Sequence, residues 1–271
     1  MQTKTPTTRL FPALLRHWRN KRGLSQLDLA LAADVSARHI SFLETGRSSP
    51  SGEMVLRLGA TLDVSLRHAN EMLRAAGHEA VYPEPSIEQG LPDEVSHVLE
   101  LMKAHHEPFP LLVMNRAYDL LDLNAGARAL FHAAMPESGF ASGGPMNLAR
   151  LTFDPAGAQA AIANFDEVGS ALLWRIQREV LADPDDGPLR ALLEDLLARP
   201  SVDEHWRDAD LSVPSTPSVE VSLHVGDDVL HFMTMITALQ APQTVALDEL
   251  RIETWFPTDA TTTDACRHLL S

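Results

Sequence analysis

The sequence predicts two units of different class: an all-α five-helix head, then a larger α+β unit built on an antiparallel sheet. Three observations carry this. Apolar residues recur at helical spacing through residues 8–77, with serine, glycine and proline at the element ends and no strand signal between them. Around residues 219–225 the spacing changes to strict alternation, as in a half-buried strand. The charge also reverses: residues 1–82 hold 11 Lys+Arg and 7 Asp+Glu (net +4), and residues 83–271 hold 11 and 30 (net −19). The expected division is a head over 1–80, a linker over 81–92 and a second domain over 93–271.

In the head, a first helix over 8–22 presents Leu10, Leu14 and Trp18 with Phe11 and Leu15, and Gly23 ends it. Ser25 caps a second helix whose expected buried stripe is Leu27, Ala30 and Leu31. After the turn Ala33-Asp34-Val35, Ser36 caps a third helix that buries Ile40 and Leu43 and exposes Ala37, Arg38, His39 and Ser41. Two helices joined by so short a turn form a helix-turn-helix, whose second member fits the DNA major groove. The loop Gly46–Pro50 leads to a fourth helix starting at Pro50-Ser51, with Met54, Val55, Leu58 and Leu62 inward. A fifth, capped within Asp63–Ser65, turns Leu66, Ala69, Met72 and Leu73 inward and stops at Gly77.

Residues 78–92 carry three prolines and no periodicity, as a linker does. Asp93 is placed to cap a helix with Val95, Val98, Leu99 and Met102 on one side. A hairpin follows, with strands at 110–114 and 118–123 and a turn at Asn115-Arg116-Ala117; Asn124 then caps a helix holding Ala127, Leu130 and Phe131. Residues 136–145 are a Gly/Pro/Ser loop. Helical stretches carry Leu148, Leu151 and Phe153, then Phe165, Val168, Leu172 and Ile176, then Leu189, Leu192, Leu193, Leu196 and Leu197, the last two parted by 183–188. Val219, Val221, Leu223 and Val225 give one strand a single buried face, and Gly226-Asp227 turns the chain. Val229–Leu239 is apolar at nearly every position and is expected to be a strand covered on both faces; Leu250–Trp255 is a last strand.

The segments GLSQLDLA, VSARHISFLETGR, the Pro50 loop and MVLRLGATLDV resemble the Cro/cI-type (XRE family) helix-turn-helix domain over residues 9–77. Asp34 stands where that family usually has glycine in the turn, and Asp tolerates the left-handed conformation better than most residues. The segments PFPLLVMNRAYDLLDLNAGARALF, NLARLTFDP, LHFMTMITAL and LDELRIETWFP resemble, over roughly 95–258, the MmyB-like ligand-binding domain, a PAS-like fold found behind such heads. That resemblance implies a transcriptional regulator sensing a small apolar molecule of fatty-acid type. The residues themselves show only the hairpin–helix–sheet order and an apolar strand, which also suit a plain dimerisation or protein-interaction module.

For DNA, Arg38 is the leading candidate for base readout, because arginine bonds guanine O6 and N7 together, worth roughly 1–3 kcal/mol of discrimination. Ala37 is placed to meet a thymine methyl; Ser36, His39 and Ser41 are secondary contacts; Phe42 packs either on thymine or into protein. Arg47 and Ser48 are expected at phosphates, and the resemblance has Gln26 bond a phosphate and brace the recognition helix. For a ligand, the candidate lining is Met233 and Met235 with His231 beside them, walled by Leu111, Val113, Leu121, Leu123, Leu172 and Ile176. Asn124, Arg128, Arg150 and Arg175 are candidate partners for a carboxylate head.

The expected partners are therefore an operator in double-stranded DNA, a small apolar ligand and a second copy of the chain, since one small head makes too few contacts for tight specific binding. No cofactor is expected beyond a bound fatty acid or similar lipid. No apolar run approaches membrane-spanning length, the N-terminus lacks a signal-peptide core, and the one cysteine, Cys266, forms no internal disulfide, so a cytoplasmic setting is expected. Twelve histidines fall at no known metal spacing. No nucleophile elbow, phosphate loop or dinucleotide fingerprint appears, so no enzyme is expected.

Overall fold

The computed structural model describes residues 10–83, 91–136, 146–184, 186–207, 218–239, 242 and 244–271. Most of the expected Gly/Pro/Ser loop at 136–145 and much of the linker lie outside these residues. The chain forms two compact units, one of residues up to 90 together with 240–248, the other of 91–239 and 249–271.

The first unit holds α1 (Leu10–Lys21), α2 (Gln26–Ala32), α3 (Ala37–Glu44), α4 (Gly52–Thr61) and α5 (Leu66–Ala75). Serine opens four of them. Ser25, Ser36, Ser51 and Ser65 each accept a backbone N–H from the residue three positions on, and Asp28 completes a capping box with Ser25. Asp34 adopts φ 54, the left-handed conformation the short turn requires. Phe11, Leu15, Trp18, Leu29, Ile40, Leu43, Val55, Leu58, Leu62, Met72 and Leu73 form the core. Three expectations shift. Leu10 is exposed, and α2 buries Leu29 and Ala30 while Leu27 and Leu31 stand 58% and 73% exposed. Leu27, Leu29, Ala30, Leu31 and Ala32 are all apolar, so the run carries no phase to choose a face.

The unit continues past α5. The buried Asn70 side chain accepts from Val81 and Tyr82 N–H (3.2 and 3.1 Å) and donates to the Tyr82 carbonyl (2.7 Å). The Pro83 carbonyl accepts from Val245 N–H at 3.1 Å, and Asp248 Oδ2 accepts the Leu66 N–H at 3.1 Å. A carboxylate from the far end of the sequence thus satisfies one of the free N–H groups opening α5.

The second unit contains α6 (Asp93–His106), β1 (Leu111–Met114), β2 (Leu120–Leu123), α7 (Ala125–Ala134), α8 (Leu148–Thr152), α9 (Phe165–Ala182), α10 (Gly187–Leu197), β3 (Ser218–Val225), β4 (Asp228–Ala238), β5 (Arg251–Pro257) and α12 (Ala260–Leu269). The short α11 (Val245–Glu249) joins β4 to β5. The strands form an antiparallel sheet in the order β2-β1-β5-β4-β3. Asn124 caps α7 as expected, while α6 begins after Pro92 with no side-chain cap, and its Val98 is exposed. Tyr118 lies in the β1–β2 turn at φ 66 rather than in a strand. Gly126 is where α7 meets the chain before β1: a Cβ there would sit 2.2 Å from the Pro108 carbonyl oxygen.

One face of the sheet, with Leu112, Phe232, Leu223 and Trp255, packs on α7 and α12, and Met114 and Ile236 continue it towards α9 and α10. On the other face Leu111, Val113 and Ile252 are covered by Leu99 of α6. That cover is partial. β4 is not enclosed on both sides: Leu230, Phe232 and Thr234 are buried, whereas Met233 and Met235 are 40% and 47% exposed beside Phe256. An unbroken apolar sequence sets no inside, and the helices supply only one full layer.

Candidate nucleic-acid interface and apolar cavity

The α2–turn–α3 unit is clamped by one buried carboxylate. Glu44, the last residue of α3, accepts from Arg19 Nε (2.5 Å) and Nη2 (3.1 Å) on α1 and from Gln26 Nε2 (2.8 Å) on α2. Its carbonyl accepts from Arg16 Nη2 at 2.9 Å. Burial pushes the carboxyl up, but the hydrogen bonds from Arg19 and Gln26 and the charges of Arg19 and Arg16 hold it below the usual range. Arg22 is likewise spent on the fold, donating to the carbonyls of Leu62 and Asp63.

Two cations stay outside this network. The Arg38 guanidinium lies 5.1 Å from the Phe42 ring centre and that of Arg47 lies 5.9 Å from it. Both are exposed, and among the described residues no carboxylate comes within ion-pair distance of either. Phe42 is half-buried beneath them. Ser36 Oγ is committed to the His39 N–H (3.2 Å); Ala37, His39, Ser41 and Ser48 are half-exposed around the pair. Gln26 braces α3 through Glu44 with its amide nitrogen. Glu44 and the platform role of Phe42 were not legible from sequence: the only signal for the latter is the i, i+4 spacing of Arg38 and Phe42.

In the larger unit, the sheet and helices line an apolar pocket with about 70 Å³ of water-accessible interior. Phe131 and Met135 come from the α7 end, Leu148, Leu151 and Thr152 from α8, Val168, Leu172 and Arg175 from α9. Val219, Val221 and Leu223 of β3, Thr234 of β4, and Glu253 and Trp255 of β5 form the floor. The lining suits a small, largely apolar molecule. Glu253 accepts from Trp255 Nε1 at 2.9 Å; burial raises its carboxyl, opposed by the charge of Arg175 and that hydrogen bond. Burial, with the charge of Glu179, likewise raises the Tyr118 phenol, and the charge of Arg175 opposes it.

The family profile described as the MmyB-like transcription regulator ligand binding domain matches residues 95–269, and a helix-turn-helix profile matches 15–68. The chain belongs to the MmyB-like transcription regulators. Over 82 residues, 30% of its length, this MmyB-like chain is 34% identical to the HTH-type transcriptional regulator DdrOP3 of Deinococcus deserti, and the match spans 61% of that relative.

In this MmyB-like domain, Leu172 and Arg175 line the cavity, and the other sequence candidates do not. Leu111, Val113 and Leu121 pack on the α6 side of the sheet, while Leu123 and Ile176 are closed into core. His231, Met233 and Met235 alternate with the inward Leu230, Phe232 and Thr234, so they face away; His231 Nδ1 is paired with Ser222 Oγ at 2.8 Å. Among the head-group candidates, Asn124 accepts from Leu111 and Ala127 N–H (3.0 and 2.9 Å), Arg128 bonds Asp122 (3.1 Å) and Arg150 bonds Asp195 (2.9 Å). No described helix is long and apolar enough to cross a membrane.

Proposed function

We propose that this protein is a sequence-specific DNA-binding transcriptional regulator that works as a homodimer and takes a small apolar ligand of fatty-acid type in its larger unit. The observation carrying the DNA reading is the Arg38–Phe42–Arg47 set on a serine-capped second helix. Two exposed cations held on one aromatic ring, without a carboxylate beside them, suit a guanine edge and a neighbouring phosphate. The enclosed apolar cavity supports the ligand reading. Its floor strands β4 and β5 are joined through residues 244–248, which belong to the head's compact unit. Ligand acts by binding DNA-competent and incompetent arrangements unequally, as linkage requires. Mass spectrometry of the native protein after organic extraction tests this: an acyl species is expected, and no bound species with no thermal shift from C10–C18 acids would overturn it.

A second reading has the larger unit act only in self-association. The outward row Met233, Met235 and Phe256 favours it. Sedimentation of Met233→Glu separates the two: loss of dimer with ligand uptake intact assigns the sheet face to assembly and the cavity to sensing.

A further inference from the structure

One helix of the larger unit keeps an apolar stripe on its outside. α6 turns Leu99 inward against Leu111, Val113 and Ile252 of the sheet, with Val95 and Met102 packed at the edge of that contact. Its outer side is not simply polar. Val98 and Leu101 are 51% and 44% exposed there, and the exposed Glu94 and His105 lie one turn beyond them on either side. Residues 94, 98, 101 and 105 are four, three and four apart, the spacing of a seam between helices rather than of scattered surface residues.

The stripe is complementary to itself. Its spacing is the same from either end, with an acid in the first turn of α6 and a histidine in the last. Laid antiparallel on a second copy about a two-fold axis, Val98 meets Leu101 twice and Glu94 meets His105 twice, the reciprocal pairing that a two-fold interface demands. Parallel pairing stacks Glu94 on Glu94 and His105 on His105 instead. The antiparallel arrangement also sets the positive N-terminal end of each helix beside the negative C-terminal end of the other. Residues 83–271 carry a net charge of −19, so two such bodies repel one another except where a carboxylate finds a base. The seam meets that condition, and beside it Glu100 is already bonded to Lys103 at 2.6 Å, which reaches Asp122 as well.

We propose that α6 is the self-association surface of this regulator, pairing antiparallel with α6 of a second copy through Val98 and Leu101 and closed at each end by Glu94 and His105. This rests on the protein acting as a homodimer, and it places that contact on α6 rather than on the outward row Met233, Met235 and Phe256. α6 is the first helix after the linker, so a pair formed there tethers the two heads through a short stretch of chain.

The test is sedimentation equilibrium of the full-length protein, free and on operator DNA, at neutral pH. Leu101→Glu is expected to raise the dimer Kd at least about tenfold, with helical content and thermal midpoint unchanged because the replaced side chain is exposed. Glu94→Lys and His105→Glu are each expected to weaken the dimer by about fivefold, as two exposed charge pairs set like against like. The double variant Glu94→Lys/His105→Glu exchanges the signs and is expected to restore it, a rescue that damage to the fold would not give. An unchanged dimer in Leu101→Glu, or a double variant no better than the single ones, overturns the α6 pairing. Loss of the dimer in Met233→Glu but not in Leu101→Glu moves assembly to the sheet face and overturns it equally. A wild-type chain that stays monomeric both free and on operator DNA overturns the homodimer reading beneath it.

Discussion

Glu44→Ala is expected to loosen the α2–turn–α3 unit from the rest of the head. The Glu44 side chain is 1% exposed and Arg19 is 12% exposed, so the pair is buried. Deleting the carboxylate leaves the Arg19 guanidinium with the Leu24 carbonyl (2.7 Å) as its remaining hydrogen-bond partner and frees the Gln26 amide. Removing one partner of a buried pair costs about 3–5 kcal/mol, a large share of the roughly 5–15 kcal/mol that holds a domain together. Native-state hydrogen exchange of α3 amides in the full-length chain reads this locally. The double variant Arg19→Met/Glu44→Met should regain most of the loss, because two apolar side chains leave no stranded charge. The sign with pH is fixed. Glu44 titrates below an ordinary glutamate when folded, so its contribution is complete above the unfolded value and lost as pH falls through the folded one. The variant should therefore lose acid sensitivity below about pH 4. A cost under about 1 kcal/mol, as an exposed pair gives, or a double variant no better than the single one, would refute the clamp.

Other outcomes follow from single contacts. Arg38→Ala should cut operator affinity by about 1–3 kcal/mol in a shift assay with the helical content unchanged; Phe42→Ala should weaken binding as well, by releasing both cations, and an unaltered shift for both variants would remove this surface from DNA recognition. Asp248→Ala should raise amide exchange at Leu66, the loss of one capping bond being worth about 0.5–2 kcal/mol; unchanged protection there would mean the carboxylate does not cap α5. Leu172→Trp narrows the cavity from α9 and should abolish the thermal shift given by C10–C18 acids while leaving DNA affinity intact. Burial pushes the Cys266 thiol up to about 11, so iodoacetamide at pH 8 should modify it only after unfolding; rapid labelling of the native protein would contradict that environment.

The limits of reading this chain from its residues are local against long-range. Serine caps are legible because each acts on an N–H three residues away, and Asp34 because a turn of that length demands one left-handed residue. The antiparallel sheet and the helix after its first hairpin are legible from period and punctuation. Facing is not, wherever a run is apolar throughout. Leu111 to Met114 are all buried, yet alternate residues serve different cores, Leu112 and Met114 on the cavity side and Leu111 and Val113 against α6. The same parity turns Met233 and Met235 outward and puts Thr234 on the cavity wall. Polar residues mislead in the opposite sense. Glu44 and Glu253 look like surface residues in sequence and Tyr118 like the start of a strand, yet all three are buried, and each feels a charge from far along the chain: Arg19 for the first, Arg175 for the other two. A cavity needs walls from several elements at once, here six helices and strands contributing one to three residues each, so no single stretch carries its signature. What sequence does supply is the inventory. Arg175 stood among four candidate anchors, and the other three are taken by Asp122, by the distant Asp195 and by the cap of α7, pairings that only the fold reveals.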